Sequence, residues 1–232
     1  MSIFDYSELI DDEGKRCMVI DMLPETVCCF DCVYCPCGRT KYKTLNPVDF
    51  GQDRSSAIRA ELEAKLKEYK PDIALIESKG EAFMNTACEY VIDVIHEFGT
   101  KVRFLTTGYP LHMTEYRRIC NKCDEVVGEL RVTSDADLQK FQRPLDGIDF
   151  RTYMMNMYEF NKQYSGRFIL EATILKGVND KPEDWDKLNL LIKMIKPDHV
   201  SVKQFYEPDY IYKAFGVSED VLNKAKAYLK ID

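Results

Sequence analysis

Short apolar runs alternate with longer amphipathic segments along most of the chain. The runs are about four to eight residues long and apolar at their centres, which is typical of strands buried in a parallel sheet. One example is DIALIES at 72–78. Six such runs predict strands, at 16–23, 72–78, 101–107, 125–132, 167–175 and 199–205.

Segments with helical periodicity follow these strands. Between 85 and 98, for example, Val91, Ile95 and Phe98 recur on one helix face, and Gly99 ends the pattern. Helices are predicted in this way at 53–67, 85–98, 111–121, 134–142, 148–163, 185–195 and 218–230.

This alternation, with few hairpin signals, predicts a parallel sheet covered by helices. Right-handed crossovers curl such a sheet towards a barrel, and six units fall short of the eight that close one. The expected fold class is therefore α/β, a partial (β/α)6 TIM-like barrel. No repeat or linker interrupts the pattern, so we expect one domain over 1–232, with a core of about 15–206 and a short C-terminal helix at 217–230.

Functional residues of such a fold are expected at the carboxyl ends of the strands. Loops rich in Gly, Thr, Asp and Cys stand at those places, so five loops on one rim can surround one ligand. They lie at 28–40, 79–85, 106–110, 133–137 and 176–180.

The composition indicates the cellular compartment and the classes of partner to expect. No apolar run approaches the ~20 residues that cross a bilayer, and the acidic N-terminus lacks the apolar segment of a secretory signal. We therefore expect a cytoplasmic protein with no membrane partner and with reduced thiols. The formal net charge is −7 and the basic residues are scattered, which is unlike a typical nucleic-acid binder. A nucleic-acid partner is left open.

The stretch CCFDCVYCPCGRT at 28–40 holds five of the nine cysteines. A disulfide framework fits an odd number of cysteines and a reducing compartment poorly. A structural zinc site usually needs four ligands, and the other C-x2-C pair, Cys120 and Cys123, is predicted at the opposite rim. The C-x3-C-x2-C set of Cys28, Cys32 and Cys35 suits a cubane iron–sulfur cluster with one open iron. Zinc stays open as the alternative.

The stretch CCFDCVYC, with Tyr34 before its last cysteine, resembles the signature of the radical S-adenosylmethionine (SAM) superfamily. Its position after the first predicted strand is also typical of that family. The resemblance covers about 16–208 and extends to the subgroup related to the wyosine tRNA-base synthases, through Gly-Arg-Thr after the cysteines and through ESKGEAFMN, LTTGYPL, DLQKFQRP and LKGVND. The chain departs from that subgroup at Lys79, at Thr107 and at ELRVTS (129–134). It also lacks the further cysteines that wyosine synthases use for a second cluster.

The resemblance implies a 4Fe-4S cluster on Cys28, Cys32 and Cys35, with SAM bound to its open iron. An external electron donor of the flavodoxin or ferredoxin type would drive cleavage of SAM to a 5′-deoxyadenosyl radical, which takes hydrogen from an unidentified substrate. Cys29 and Cys37 adjoin the ligands without joining them. The residues implied to contact SAM are Tyr34, Gly80, Glu81, Thr106, Thr107, Arg131 and Thr133.

Several functions stay open within this reading. A radical SAM enzyme would act on a tRNA base or another small anionic substrate, with positive charge from Arg39, Lys41, Lys43 and an inward-facing Lys203. The alternatives are a glycyl-radical-enzyme activase and, outside enzymes, an iron–sulfur electron-transfer or binding module. Tyr34 also fits a core aromatic residue and Glu81 a helix N-terminal acid, while Lys203 also fits a solvated lysine.

Overall fold

The computed structural model describes residues 2–51 and 55–230. The strands are β1 (Asp5–Ile10), β2 (Arg16–Asp21), β3 (Val27–Cys28), β4 (Tyr42–Lys43), β5 (Ile73–Ile76), β6 (Lys101–Thr106), β7 (Glu125–Leu130), β8 (Arg167–Thr173) and β9 (His199–Lys203). The helices are α1 (Ser55–Tyr69), α2 (Cys88–Glu97), α3 (Thr114–Cys120), α4 (Asp135–Asp137), α5 (Phe150–Asn161), α6 (Pro182–Ile195), α7 (Asp209–Phe215) and α8 (Glu219–Tyr228). Short turns add a 3-10 helix at Ala82–Met84, another at Tyr109–His112 and a π-helical turn at Leu138–Gln142.

Seven strands form one sheet in the order β1-β2-β5-β6-β7-β8-β9. The strands from β2 to β9 in this order pair in parallel with their neighbours, while β1 pairs antiparallel with β2 at the edge. The parallel part curls into a half-barrel with helices on its convex side. The predicted fold class, a partial TIM-like barrel of α/β type, is confirmed.

Some elements differ from the sequence prediction. The strand β1 was missed because its residues are mostly polar and exposed, so they show no buried face. The helix α7 was also missed, and the segment predicted as a helix at 134–142 is a three-residue helix followed by the π-helical turn. The predicted helix start at Asp53 lies outside the described residues. No described helix is long and apolar enough to cross a membrane.

The two faces of the sheet bury different residues, because successive side chains of a strand point to opposite faces. The convex face packs under the helices in a large apolar core that includes Met18, Ile76 and Phe104. The concave face carries a small separate apolar cluster of Cys17, Ile73 and Leu75. Apolar residues line the middle of the half-barrel, and charged side chains occupy its two ends.

The loop at 11–15, between β1 and β2, closes the amino-terminal end of the half-barrel. Its charged side chains pair with residues on four different strands, which anchors the β1–β2 hairpin across the open side. The pairs are Asp11–Arg103 (2.9 Å), Asp12–His199 (3.3 Å), Glu13–Arg167 (2.8 Å) and Lys15–Glu125 (3.4 Å).

Arg103 is the most buried cation of this closure, and its loss should be costly. Its side chain is 7% exposed and it pairs with Glu125 at 2.6 Å as well as with Asp11. We expect Arg103→Met to lower the free energy of unfolding by about 3–5 kcal/mol, because the buried Asp11 carboxylate loses its cationic partner and Glu125 loses its shortest ion pair. Urea denaturation measures the change.

Arg16→Met is the matched control, because Arg16 forms an exposed pair with Asp72 at 3.8 Å. Exposed pairs contribute about 1 kcal/mol or less. Equal losses in the two variants would contradict the structural role given to the buried arginine.

Candidate functional site

The carboxyl ends of the parallel strands surround a cleft of about 760 Å³, part of it open to solvent. The loop at 28–40 forms one wall, and the loops after β5 to β9 form the others. Of the residues that the sequence singles out, the cleft is lined by Cys28, Cys32, Cys35, Gly80, Thr106, Thr107 and Arg131. Tyr34, Glu81 and Thr133 lie outside this lining.

The three cysteines of the C-x3-C-x2-C set are free thiols around this cleft. Burial raises the pKa of the Cys32 thiol well above its usual range, the charge of Arg131 lowers it, and Cys28 and Cys35 raise it, so these groups are close neighbours. No group of three or more His, Cys, Asp or Glu in the described ranges is arranged to hold one metal ion. Thiol donors spread around a cavity fit a multi-iron cluster, in which each cysteine thiolate binds a different iron.

The other cysteines occupy different places. The thiol of Cys37 lines the cleft and hydrogen-bonds to Cys35, which lowers the pKa of Cys35 to about 6. Cys29 is fully buried with its Sγ 3.8 Å from Thr107 Oγ1, outside the lining. Cys120 and Cys123 are buried in the apolar core between α3 and β7.

Asp31 holds the cysteine loop in shape from within. Its carboxylate accepts hydrogen bonds from Arg39 Nε at 2.9 Å and from the Thr40 amide at 3.0 Å. The Thr40 hydroxyl in turn donates to the Phe30 carbonyl at 2.6 Å. Burial raises the pKa of Asp31, but these hydrogen bonds outweigh burial and the pKa is lowered. The Gly-Arg-Thr sequence therefore folds back and fixes the loop.

A second support comes from the segment 138–145, which runs beside the cysteine loop. Backbone hydrogen bonds join the two: Asp31 N to Gln142 O (3.0 Å) and to Arg143 O (3.3 Å), Val33 N to Phe141 O (2.8 Å) and Leu145 N to Cys29 O (3.0 Å). Lys43 Nζ donates to the carbonyls of Arg143 and Pro144, and Lys41 pairs with Glu25. The basic residues after the cysteines are thus engaged within the protein.

Gly80 and Glu81 join the loop after β5 to its neighbours. Gly80 has φ +122°, and a Cβ there would lie 2.0 Å from the Val27 carbonyl oxygen, so only glycine allows this approach. Glu81 is fully buried, and one carboxylate oxygen accepts from Thr106 Oγ1 (3.0 Å), Thr107 N (2.9 Å) and Thr107 Oγ1 (2.8 Å). Burial raises the pKa of Glu81 to about 7 against these hydrogen bonds, which lower it.

Arg131 presents a fixed positive charge in the cleft. It is buried, pairs with Glu129 and donates to Thr173 Oγ1 at 3.3 Å. Its guanidinium lies 5.3 Å from the ring centre of Phe205 and 5.7 Å from that of Tyr34. The Tyr34 ring is itself fully buried, edge-on to Phe215, as in a core aromatic residue. Thr133 is half-buried beyond the lining.

The acidic residues of this cleft were not predicted from the sequence. Glu77, Glu129 and Glu171 all line it, at the carboxyl ends of β5, β7 and β8. Glu129 and Glu171 are single carboxylates inside apolar strands, in GELRV and ILEAT, and a charge at such a position requires a partner or a site. That pattern is the signal that would have identified them.

Comparison with known proteins gives distant relatives. No family model matches the chain. It is 24% identical over 212 residues to a protein described as GTPase Obg of Brachyspira hyodysenteriae, covering 91% of this chain and 31% of that one. It is 22% identical over 223 residues to a UPF0026 protein of Methanocaldococcus jannaschii, covering 90% and 69%. The chain thus spans less than a third of the first relative and about two thirds of the second.

Solved structures share the fold more clearly. TYW1 with a lysine–pyruvate adduct bound superposes with a TM-score of 0.64 at 14% identity, covering 92% of this chain and 72% of that one. A radical SAM methyltransferase from Sphaerobacter thermophilus gives a TM-score of 0.64 at 13% identity, covering 99% and 74%. At these identities the likeness is one of fold, and it confirms the fold that the resemblance to the radical SAM superfamily implies.

The buried carboxyl of Glu81 should make stability depend on pH. Its pKa of about 7 lies above that of an unfolded glutamate, so the folded state holds the proton longer. Glu81 therefore lowers the free energy of unfolding as pH rises from about 4.5 to 7, by at most about 3 kcal/mol. Glu81→Gln should remove this decline.

Urea unfolding at pH 5.5 and pH 8 gives the change in free energy of unfolding between the two pH values for each protein. Subtracting the change in the variant from that in the wild type removes the contribution of the other titrating groups. The same pH dependence in both proteins would show that Glu81 titrates normally.

Proposed function

We propose that this protein, which has the radical SAM fold, holds a 4Fe-4S cluster on Cys28, Cys32 and Cys35 and cleaves SAM reductively. The observation that carries the proposal is that these three thiols and Arg131 line one cleft at the carboxyl ends of the half-barrel. Cluster and SAM together supply, when bound, a 5′-deoxyadenosyl radical that removes a hydrogen atom from the substrate. An external donor of the flavodoxin or ferredoxin type would provide the electron.

Arg131 is the group we assign to the SAM carboxylate. It is the cation that lines the cleft beside Cys32, and its contacts to Glu129, Thr173 and Phe205 leave it little freedom to move. A pre-positioned guanidinium loses less entropy when it binds a carboxylate than a free one does.

The other residues predicted to contact SAM are assigned by the atoms that are not already engaged within the protein. Tyr34 and Glu81 would act through the backbone, since the ring of the first and the carboxylate of the second are buried. Gly80 lets the loop backbone face the ligand. Thr106 and Thr107 donate their hydroxyl hydrogens to Glu81, so towards SAM they would act as acceptors. Thr133 would contribute only at the rim.

A cleft of this size beside the thiols supports an enzyme over an iron–sulfur electron carrier, which has no need of a ligand cavity. The substrate expected from the sequence, a tRNA base or another small anionic molecule, has weaker support. Arg39 is paired with Asp31 and Lys203 with Glu171, so neither offers a free charge. A glycyl-radical-enzyme activase remains the alternative enzyme, because one cluster suffices for it.

Anaerobic reconstitution followed by SAM cleavage tests the proposal. The wild type should bind about four irons, as a 4Fe-4S cluster requires, and release 5′-deoxyadenosine and methionine with dithionite. Cys28→Ala, Cys32→Ala and Cys35→Ala should each lose cluster and cleavage, because a cubane held by three thiolates needs them all.

Cys29→Ala and Cys37→Ala are the matched controls within the same loop and should keep both properties. Equal loss in a control, or a full cluster in one of the three variants, would overturn the ligand assignment. A stable cluster with no SAM cleavage would point to the electron-carrier alternative.

A further inference from the structure

With its carboxylates ionised, the floor of the cleft carries more negative than positive charge. Glu129 is paired with Arg131, and Glu171 accepts from Lys203 Nζ at 2.7 Å. The Glu77 amide bonds to the Ile20 carbonyl at 3.2 Å, but the Glu77 carboxylate, the third of the floor, accepts no hydrogen bond and forms no ion pair in the part of the chain that the structure describes. One carboxylate therefore remains uncompensated when all three are ionised.

Neighbouring charges compensate Glu77 only in part. Burial raises the pKa of Glu77 most, Glu171 and Asp21 raise it further, and Lys203 and Arg131 lower it. Lys203 and Arg131 are paired with Glu171 and Glu129, and in the described ranges neither forms an ion pair with the Glu77 carboxylate. Lys79 lines the same cleft, but its Nζ pairs with Asp5 at 2.8 Å and with Asp21 at 3.1 Å. A positive group brought by a ligand is thus the missing partner, and attraction between unit charges is strong in a site partly shielded from water.

A smaller cavity beneath the cleft adds an independent observation. It shares Glu77, Leu105 and Glu171 with the cleft and is bounded on other sides by Arg103 and Ser201. Arg103 Nη2 has no hydrogen-bond partner among the described residues, although Arg103 is only 6% exposed. The Ser201 hydroxyl, on a residue that is 4% exposed, lies close enough to Asp12 to lower the pKa of that carboxyl, which leaves the lone pairs of Ser201 Oγ available to a donor. Buried polar atoms are nearly always paired, with protein, water or ligand. The floor is therefore built to contact something polar that the chain itself does not supply.

From these observations we propose that the substrate carries a primary ammonium group, which pairs with Glu77 at the floor of the cleft. An ammonium has three donors and no acceptor, which matches an unpaired carboxylate and the hydroxyl of Ser201 below it. The cavity beneath has room for ordered water that completes the hydrogen bonds. The proposal rests on the proposed function. It gives the substrate a positive group, whereas the sequence predicts an anionic substrate.

SAM also carries an ammonium group, so the ammonium that pairs with Glu77 could belong to SAM or to the substrate. The loop at 79–81, where the resemblance places the amino group of SAM, lies at the rim. Glu77 lies lower, at the boundary with the second cavity. We therefore assign the Glu77 partner to the substrate, and the experiment separates the two sources.

The test uses n-butylamine as the cationic probe, with butanol and butyrate as neutral and anionic probes of similar size. Binding to the reconstituted protein with SAM present is followed by ligand-observed NMR, and SAM binding by equilibrium dialysis. We expect the amine to bind and the other two probes not to bind. Glu77→Gln should weaken amine binding at least tenfold and change the SAM dissociation constant less than threefold.

Glu8→Gln, on the exposed face of β1, is the matched control and should keep amine binding. Equal binding of the three probes, or amine binding unchanged in Glu77→Gln, would overturn the proposal. Tenfold weaker SAM binding in that variant would assign the ammonium to SAM and also overturn it. Amine binding is repeated on protein without the cluster, so failure of this proposal is distinguishable from failure of SAM cleavage.

Discussion

The cysteine loop between β3 and β4 contains almost no regular backbone structure, so its shape depends on one buried carboxylate, Asp31. That carboxylate binds the Arg39 guanidinium and the Thr40 amide, and its own amide bonds to the segment 138–145. The ion pair alone contributes little, because the Arg39 side chain is 74% exposed. The hydrogen-bond network as a whole holds the loop in the shape that brings three thiols to one cleft.

The half-barrel separates charges into layers along its strands. Ion pairs between the loop at 11–15 and the strand starts close the lower end, and the small apolar cluster lies above them. The carboxylates of Glu77, Glu129 and Glu171 follow, and Arg131 lies above those. Because alternate residues of a strand face inwards, this layering follows directly from the strand sequences. A ligand that enters from the cysteine side would meet a cation first and carboxylates below it.

Much of this architecture could be predicted because it is local. The six parallel strands follow from apolar runs, and the cysteine spacing and the loops at the strand ends follow from sequence position. What could not be predicted depends on pairing between distant residues. Nothing near Arg39 or Lys43 indicates that Asp31 and the 143–144 carbonyls occupy them. Likewise the buried partners of Glu81 lie 25 and 26 positions away.

We propose above all that the cleft holds a cluster with an iron open to SAM. Electron paramagnetic resonance of the dithionite-reduced, reconstituted protein tests it most directly, because a ligand that binds an iron changes the spectrum of the cluster. We expect a spectrum that changes on addition of SAM, and a smaller change in Arg131→Met at limiting SAM because the carboxylate contact is lost. A fully loaded cluster whose spectrum is the same with and without saturating SAM would contradict it.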